Sequence, residues 1–282
     1  MSLQNVLSRL PKGGPEQRAI EAGEIDAIID RASSNVILLP AARRALRGLS
    51  SDARRGLSSD APIANGVLAA LPRKDYLALL DGLEPVALTY GTVLYEPGEL
   101  IAHVFFPVDC LVSLLTAVEG HPATEVGMVG REGIVGITLA LGMDVSSIRA
   151  LVQGTGTAMR MNAARFRREF ERSLPLQRGL YRYANAKLAL ARQTVACNQF
   201  HAVEPRLARW LLMTSDRLAS DEFILTQRLL ADILGVLRAA VSRAAGSLQQ
   251  RRLIRYRRGK IRILDRQGLE AASCRCYTRI EA

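Results

Sequence analysis

Two arginines, Arg238 and Arg243, stand in a run of small and apolar residues near the carboxyl terminus. A guanidinium presents parallel N–H donors that fit the O6 and N7 acceptors of guanine, and one such contact is worth ~1–3 kcal/mol of discrimination between bases. We therefore predict that both arginines read DNA bases; the alternative for each is a solvated helix residue. Ser242 and Arg228 are predicted to contact phosphates. The other candidates for the same surface are Thr226, Gln227, Arg258 and Lys260.

These arginines belong to a stretch, residues 225–250, in which Ala231, Gly235 and Val241 follow the pattern A-x3-G-x5-V. This spacing supplies a small residue where two helices touch, a glycine for a turn of positive φ, and a β-branched residue directed inward. It predicts a helix-turn-helix with a recognition helix over residues 236–249; an ordinary helical hairpin is the alternative. Apolar residues at helical spacing support both helices: Leu229, Leu230, Ile233 and Leu234, then Val236, Val241, Ala245 and Leu248.

A basic β-hairpin is predicted directly after the second helix. Residues 252–264 alternate apolar and basic side chains around a turn at Gly259 and Lys260, which is typical of a wing. Residues 224–282 contain 13 Lys and Arg against 4 Asp and Glu, so +9 of the chain's net +11 lies in its last fifth. Positive charge concentrated beside a helix-turn-helix indicates phosphate contacts with DNA.

The same region resembles the winged helix-turn-helix of the Crp/Fnr transcription regulators. Residues 206–212 (RLARWLL), preceded by Pro205 at a helix first turn, look like that family's opening helix of the DNA-binding domain. The rest of the resemblance is carried by Thr226-Gln227, Leu230-Ala231-Asp232, Leu234-Gly235-Val236, Arg238, Val241-Ser242-Arg243, Leu248 and the tail RRLIRYRRGKIRILDRQGLEA.

The resemblance implies an α+β fold with an antiparallel, jelly-roll-like β-roll sensor, a long dimerisation helix and a C-terminal winged helix-turn-helix. We place an extension and linker, in part disordered, at 1–66, a cyclic-nucleotide-binding-like β-roll at 67–175, the dimerisation helix at 176–203 and the DNA-binding domain at 204–282. The implied function is a transcription regulator that binds DNA as a homodimer, with RNA polymerase as a further partner. Its two recognition helices would lie ~34–36 Å apart, which predicts a pseudo-palindromic operator.

The residues in the middle of the chain independently predict the β-roll that this domain order places there. Residues 83–160 contain short β-branched and apolar runs separated by turn residues, such as Pro97-Gly98, which is typical of an antiparallel roll or barrel. The segments YGTVLYEPGE and VFFPVDCLVSLL resemble early strands of a cyclic-nucleotide-binding-type β-roll.

A helical seam is predicted over residues 176–201. Ala184, Leu188, Ala191 and Val195 lie beside it, so the helix offers a broad face to an identical partner; a plain core helix is the alternative. The seam residues follow one another at alternating steps of four and three: Leu176, Leu180, Tyr183, Lys187, Leu190, Thr194, Cys197 and His201.

The effector segment departs from the family. Nucleotide-binding members hold the ribose and cyclic phosphate with a Gly-Glu pair and a nearby Arg, whereas here Ile137 follows Gly136 and the Arg position falls on Ser146 or Ser147. Arg149 is close to that position, but successive side chains of a strand lie on opposite faces, so a residue displaced by one from the Arg position lies on the opposite face. A buried phosphate without its guanidinium is costly. We therefore expect an effector other than cyclic AMP, or none, in a pocket that includes these five residues.

No enzyme chemistry, cofactor or metal is predicted. The glycines at 127, 130, 133 and 136 lack the spacing of a dinucleotide-binding or phosphate-binding loop. Cys110, Cys197, Cys274 and Cys276 lack the clustered spacing of a zinc or iron–sulfur site, and Cys274-x-Cys276 is interpreted as two exposed reduced thiols. No H-E-x-x-H pair or G-x-S-x-G elbow occurs.

The amino-terminal part carries the weakest signals. A helix over residues 19–32, a strand over 36–39 and a helix over 41–49 are predicted, and GLSSDA occurs twice, at 48–53 and 56–61, in a serine-rich linker. No apolar run approaches the ~20 residues of a membrane span, and no signal peptide is evident, so a cytoplasmic location is expected.

The residues of the recognition helix also permit a second function. The family's Glu between the two arginines is replaced by Ala239, and its Ser before the first arginine by Leu237, so the operator should differ from the usual family sequence. The same changes permit a dimeric sensor or protein-interaction module that binds DNA without sequence preference.

Overall fold

The computed structural model describes residues 65–218 and 220–277 and, nearer the amino terminus, two backbone segments. These segments are the strands β1 (Ala27–Asp30) and β2 (Asn35–Leu38), which pair antiparallel. The predicted helix over residues 19–32 is wrong at its carboxyl end, since the β-branched Ile28 and Ile29 favour an extended backbone. The GLSSDA repeats and the predicted helix over 41–49 lie outside the described residues.

Two antiparallel sheets form the β-roll. One has the order β3 (Glu84–Leu88), β9 (Gly156–Asn162), β5 (His103–Pro107). The other has the order β4 (Val93–Tyr95), β8 (Arg149–Gly154), β6 (Leu111–Val118), β7 (His121–Val129). Helices α1 (Gly66–Ala69) and α2 (Arg73–Leu80) precede the sheets. The predicted turn at Pro97-Gly98 is present, with Gly98 at φ +86°.

Two helices follow the β-roll. Asn162 caps α3 (Ala163–Arg172), because its side chain accepts hydrogen bonds from the backbone N–H groups of Ala164 and Arg165. Ser173 likewise caps α4 (Leu174–Phe200), accepting from the N–H of Leu176 at 3.2 Å. The 27 residues of α4 make it the long helix that the sequence predicts.

The faces of α4 correct the predicted seam. Leu176, Leu180, Leu190 and Cys197 are buried against the rest of the chain, so the seam faces its own core rather than a partner. Of the residues beside it, Leu188 and Val195 are exposed, whereas Ala184 and Ala191 are half-buried. They repeat at steps of three and four along the outer face, as Tyr181, Ala184, Leu188, Ala191 and Val195, and Tyr181, Leu188 and Val195 are 50%, 48% and 68% exposed.

The carboxyl-terminal domain packs four helices around a small sheet. Its helices are α5 (Val203–Leu218), α6 (Gln227–Leu234), α7 (Arg238–Gln250) and α8 (Arg266–Ala272). Strand β12 (Lys260–Ile263) lies between β10 (Glu222–Ile224) and β11 (Ile254–Arg257). The core includes Leu211, Leu230, Val241, Leu248 and Leu269, none of which reaches solvent. Within the described residues, every helix is too short or too polar to cross a membrane.

Candidate DNA-binding surface and ligand cavity

The turn between α6 and α7 has the geometry that its sequence predicts. Thr226 caps α6 by accepting a hydrogen bond from the N–H of Leu229 at 3.2 Å. Gly235 ends the helix in the left-handed conformation, at φ +62°, which a side chain would disfavour. Val241 is fully buried and fixes α7 to the core. Helix α7 begins at Arg238, two residues later than predicted. Both helices of the predicted helix-turn-helix are thus present.

The wing is also present, with its turn shifted by one residue. Arg257 pairs with Lys260, so the turn consists of Arg258 and Gly259 rather than Gly259 and Lys260. Arg258 has φ +49° and Gly259 has φ +80°, which is the type I′ geometry suited to a two-residue hairpin. The Tyr256 hydroxyl donates to the carbonyl oxygen of Leu225 at 2.8 Å and holds the wing against the start of α6.

An open groove of about 590 Å³ lies between the two helices and the wing. Three exposed arginines from three different elements converge on it: Arg228, Arg238 and Arg258. Three guanidinium groups around one concave surface have the chemistry to contact phosphates or base edges. The rest of the lining is Thr226, Gln227, Gln249, Tyr256 and Gly259. Of these, Gln249 and Tyr256 were not predicted from the sequence to lie on this surface.

The remaining predicted contacts lie outside the groove lining. Arg243 is exposed one turn further along α7. Ser242 donates its hydroxyl hydrogen to Oε1 of Gln227 at 2.7 Å, which occupies the donor that a phosphate would need. Lys260 is exposed and lies 3.6 Å from Glu222. Leu237, which precedes α7, is 80% exposed, so the altered reading surface carries an apolar side chain in solvent.

A second cavity, of about 500 Å³, lies in the β-roll against α4. Of the five predicted pocket residues, Gly136, Ile137, Ser146 and Ser147 line it. Arg149 does not, and its inclusion in the predicted pocket is corrected: its guanidinium Nε contacts Glu96 at 2.8 Å, as the opposite face of the strand requires. Most of the remaining lining is aliphatic, including Ile101, Leu114, Val126, Val129, Ile134 and Val135.

The one charged residue in this lining, Lys187, is engaged elsewhere. Its Nζ donates to the Met128 carbonyl and lies 3.1 Å from Oε1 of Glu132. The same oxygen accepts from Nε of Arg217 on α5, also at 3.1 Å. Burial opposes ionisation of Glu132, but Lys187 and Arg217 outweigh it and lower its pKa. One carboxylate thus connects the cavity wall to a helix of the DNA-binding domain.

A second contact between the β-roll and α5 involves Glu125 of β7. Its carboxylate receives hydrogen bonds from Nε1 of Trp210 at 2.8 Å and from the Ser113 hydroxyl at 2.5 Å. Burial raises the pKa of Glu125 to about 7, although both hydrogen bonds act in the opposite direction. The carboxyl group therefore binds a proton more tightly in the folded protein than in the unfolded chain.

We expect stability to fall as pH rises from about 4.5 to about 7, because over this range the folded state keeps a proton on Glu125 that the unfolded chain releases. The full effect is up to about 3 kcal/mol. Urea unfolding at pH 5 and pH 8 measures it. Glu125→Gln should reduce this pH dependence, since an amide imitates the protonated acid, whereas Glu119→Gln, at an exposed position after β6, should retain it. Equal pH dependence in all three proteins would contradict the assignment.

The cysteine interpretation from sequence is wrong. Cys197, His201, Cys274 and Cys276 come together, with one ligand atom of each within 4.8 Å of the others. Cys274 is buried rather than exposed. Sequence spacing missed the cluster because its two halves lie more than 70 residues apart and meet only through packing of the helices.

The geometry defines a winged helix-turn-helix joined by a long helix to a β-roll. Residues 205–272 match the family model of the Crp-like helix-turn-helix domain. Among solved structures, FixK2 from Bradyrhizobium japonicum is 16% identical, with 68% of this chain and 98% of that chain covered at a TM-score of 0.59. A putative Crp/Fnr family regulator from Eubacterium rectale is 15% identical, with coverage of 72% and 94% and a TM-score of 0.57.

A Crp/Fnr family regulator from Thermus thermophilus is 22% identical, with coverage of 67% and 98% and a TM-score of 0.56. No curated protein is significantly similar in sequence. The family model and the shared fold confirm the resemblance to the Crp/Fnr family, with the predicted α+β architecture and a DNA-binding domain of Crp type.

Proposed function

We propose that this protein is a sequence-specific transcription regulator that binds a pseudo-palindromic operator as a homodimer. The observation that carries the proposal is the groove in which Arg228, Arg238 and Arg258 converge at the start of the recognition helix α7. A groove built from both helices and the wing suits a duplex whose major groove receives α7 and whose backbone meets the wing. We propose RNA polymerase as a further partner.

Homodimer formation is supported by the outer face of α4. Tyr181, Leu188 and Val195 are exposed at intervals of seven residues, and the small Ala184 and Ala191 lie between them. Steps of three and four residues are the pattern of a two-helix seam, in which small residues permit close approach. We propose that two copies of α4 pair along this face.

Selection from random duplex DNA with the purified protein tests the proposed function. An inverted repeat whose half-sites are about one helical turn apart supports a dimeric regulator. Recovery of no common sequence, together with binding that falls steeply with salt, would instead favour a sensor or interaction module with nonspecific DNA affinity.

We further propose that the effector is a small, mainly apolar molecule rather than cyclic AMP. The cavity lining offers aliphatic side chains, two serines and no arginine, and its only cation is held by Glu132. A cyclic phosphate would therefore lose its water without gaining a bidentate partner, whereas an apolar ligand gains from burial.

Titration calorimetry is expected to detect no micromolar binding of cyclic AMP, while the fluorescent probe anilinonaphthalene sulfonate should bind in the cavity. Leu114→Trp places a larger side chain in the lining and should weaken probe binding about tenfold or more. Val118→Trp, on the same strand but outside the lining, is the matched control. Cyclic AMP binding that Leu114→Trp abolishes would overturn the proposal.

A further inference from the structure

The cluster of Cys197, His201, Cys274 and Cys276 joins two distant segments of the chain. Cys197 lies in the last turn of α4. His201, four residues after Cys197, directly follows the end of that helix. Cys274 and Cys276 lie in the turn beyond α8. Residues four apart near the end of a helix share a face, so Cys197 and His201 can supply two ligands from one side and Cys274 and Cys276 two from the other.

The distances suit a single ion. Three thiol sulfurs and one imidazole nitrogen lie within 4.8 Å of one another. A tetrahedral zinc site has Zn–S bonds of ~2.3 Å, which place its sulfur atoms roughly 3.8 Å apart, so binding requires the four atoms to move together by about 1 Å or less. A space bounded by atoms this close holds one metal ion and leaves no room for a multi-iron cluster.

Polar groups around the cluster point independently to thiolate ligands. Gln193 Nε2 donates to Sγ of Cys276 at 3.1 Å and to Sγ of Cys197 at 3.4 Å. Arg209 Nη1 donates to Sγ of Cys197 at 3.3 Å. Nδ1 of His201 is buried without a hydrogen-bond partner, so one imidazole nitrogen is free to bind a metal. Donors arranged around the sulfurs are what a metal-bound thiolate needs from its surroundings.

The local charge gives a second independent argument. Arg206 and Arg209 are each only 6% exposed, and neither forms an ion pair with a carboxylate in residues 65–218 and 220–277. A buried guanidinium without a counterion is costly. Zn²⁺ with three thiolates and a neutral histidine carries a net charge of −1, which would compensate the cation that Arg209 places against Cys197.

We propose that Cys197, His201, Cys274 and Cys276 bind one structural Zn²⁺ ion. Three sulfurs and one nitrogen complete a closed tetrahedral set with no open position, so the site stabilises structure and does not perform catalysis. The ion would fasten the chain segment beyond α8 to the end of α4, next to the turn where α4 passes into α5. It would thereby fix the DNA-binding domain against the long helix.

Metal analysis of the purified full-length protein tests this proposal. We expect close to one equivalent of zinc per chain. Cys274→Ser and Cys276→Ser should each lower the zinc content severalfold, whereas Cys110→Ala, which alters the one cysteine outside the cluster, should leave it unchanged. Circular dichroism of each variant distinguishes loss of the metal from loss of the fold.

Cobalt substitution of the unmodified protein gives a readout that does not depend on any variant. Co²⁺ in a tetrahedral site with three thiolates should produce intense sulfur-to-metal charge-transfer absorption, which added Zn²⁺ should abolish. Three metal-free thiols in the cluster, a disulfide between cluster cysteines, or copper in place of zinc would each overturn the proposal. Failure of the operator selection would not affect these measurements, so the zinc site and the proposed function are tested separately.

Discussion

Replacing Arg238 by alanine is expected to reduce affinity for the selected DNA site at least about tenfold. Arg238 is the first residue of α7, is exposed, and lines the groove with Arg228 and Arg258. A bidentate contact with guanine is worth ~1–3 kcal/mol, and a dimer would lose it in both half-sites. Fluorescence anisotropy with the selected duplex and with duplexes changed at single positions measures both affinity and discrimination.

The pattern of the loss identifies the role of Arg238. Base reading predicts that discrimination disappears at one position of each half-site, whereas a phosphate contact predicts a uniform loss and a salt dependence smaller by about one ion per arginine. Arg178→Ala, at an exposed position of α4 outside the groove, should bind as the unmodified protein does. Unchanged affinity and discrimination in Arg238→Ala would contradict its assignment to the DNA surface.

The DNA-binding domain could be predicted from sequence because its constraints are local. Gly235 must adopt a positive φ, Val241 must be buried, and both requirements are met by residues at fixed spacing. The wing turn shifted by one residue because Arg258, rather than a second glycine or an asparagine, adopts a positive φ in it. Because arginine seldom adopts a positive φ, the residue type at position 258 did not indicate the turn.

The faces of α4 could not be predicted in the same way. Its apolar residues cover more than half of the helix circumference, so periodicity alone cannot decide which face meets the β-roll and which meets a partner. The structure decides it: Leu180 and Leu190 are buried in the chain, while Leu188 and Val195 remain exposed. The cysteine cluster was invisible for a related reason, because contacts between distant segments have no periodic signature.

The position of Glu132 connects these parts. It lies in the loop after β7 and contacts Lys187 of α4 and Arg217 of α5, so the cavity wall, the long helix and the DNA-binding domain share one carboxylate. Leu188, the residue after Lys187 on α4, lines the cavity and is also part of the exposed stripe, so the stripe runs beside this contact. The arrangement makes the oligomeric state of α4 a decisive property of the proposed regulator.

Val195→Glu is therefore expected to weaken the homodimer about 100-fold or more. Val195 is 68% exposed in the single chain and is absent from the cavity lining, so a glutamate there should cost the monomer little. In a paired seam the same position meets its own copy, where two carboxylates would repel each other and lose the burial of two valine side chains, worth ~1.5–3 kcal/mol each. Sedimentation equilibrium over a range of protein concentrations measures the dissociation constant.

The matched control for this substitution is Ala196→Glu, which adds the same charge one residue further along, at an exposed position about 100° around the helix. It should remain a dimer and bind the inverted repeat, whereas Val195→Glu should bind a half-site and the full repeat with similar affinity. Ala196 is adjacent to Cys197 and Val195 is one residue further away, so dimer loss in Val195→Glu alone reports the seam and not the cysteine cluster. A wild-type protein that is monomeric at micromolar concentration, or a Val195→Glu protein that dimerises normally, would exclude this face as the interface.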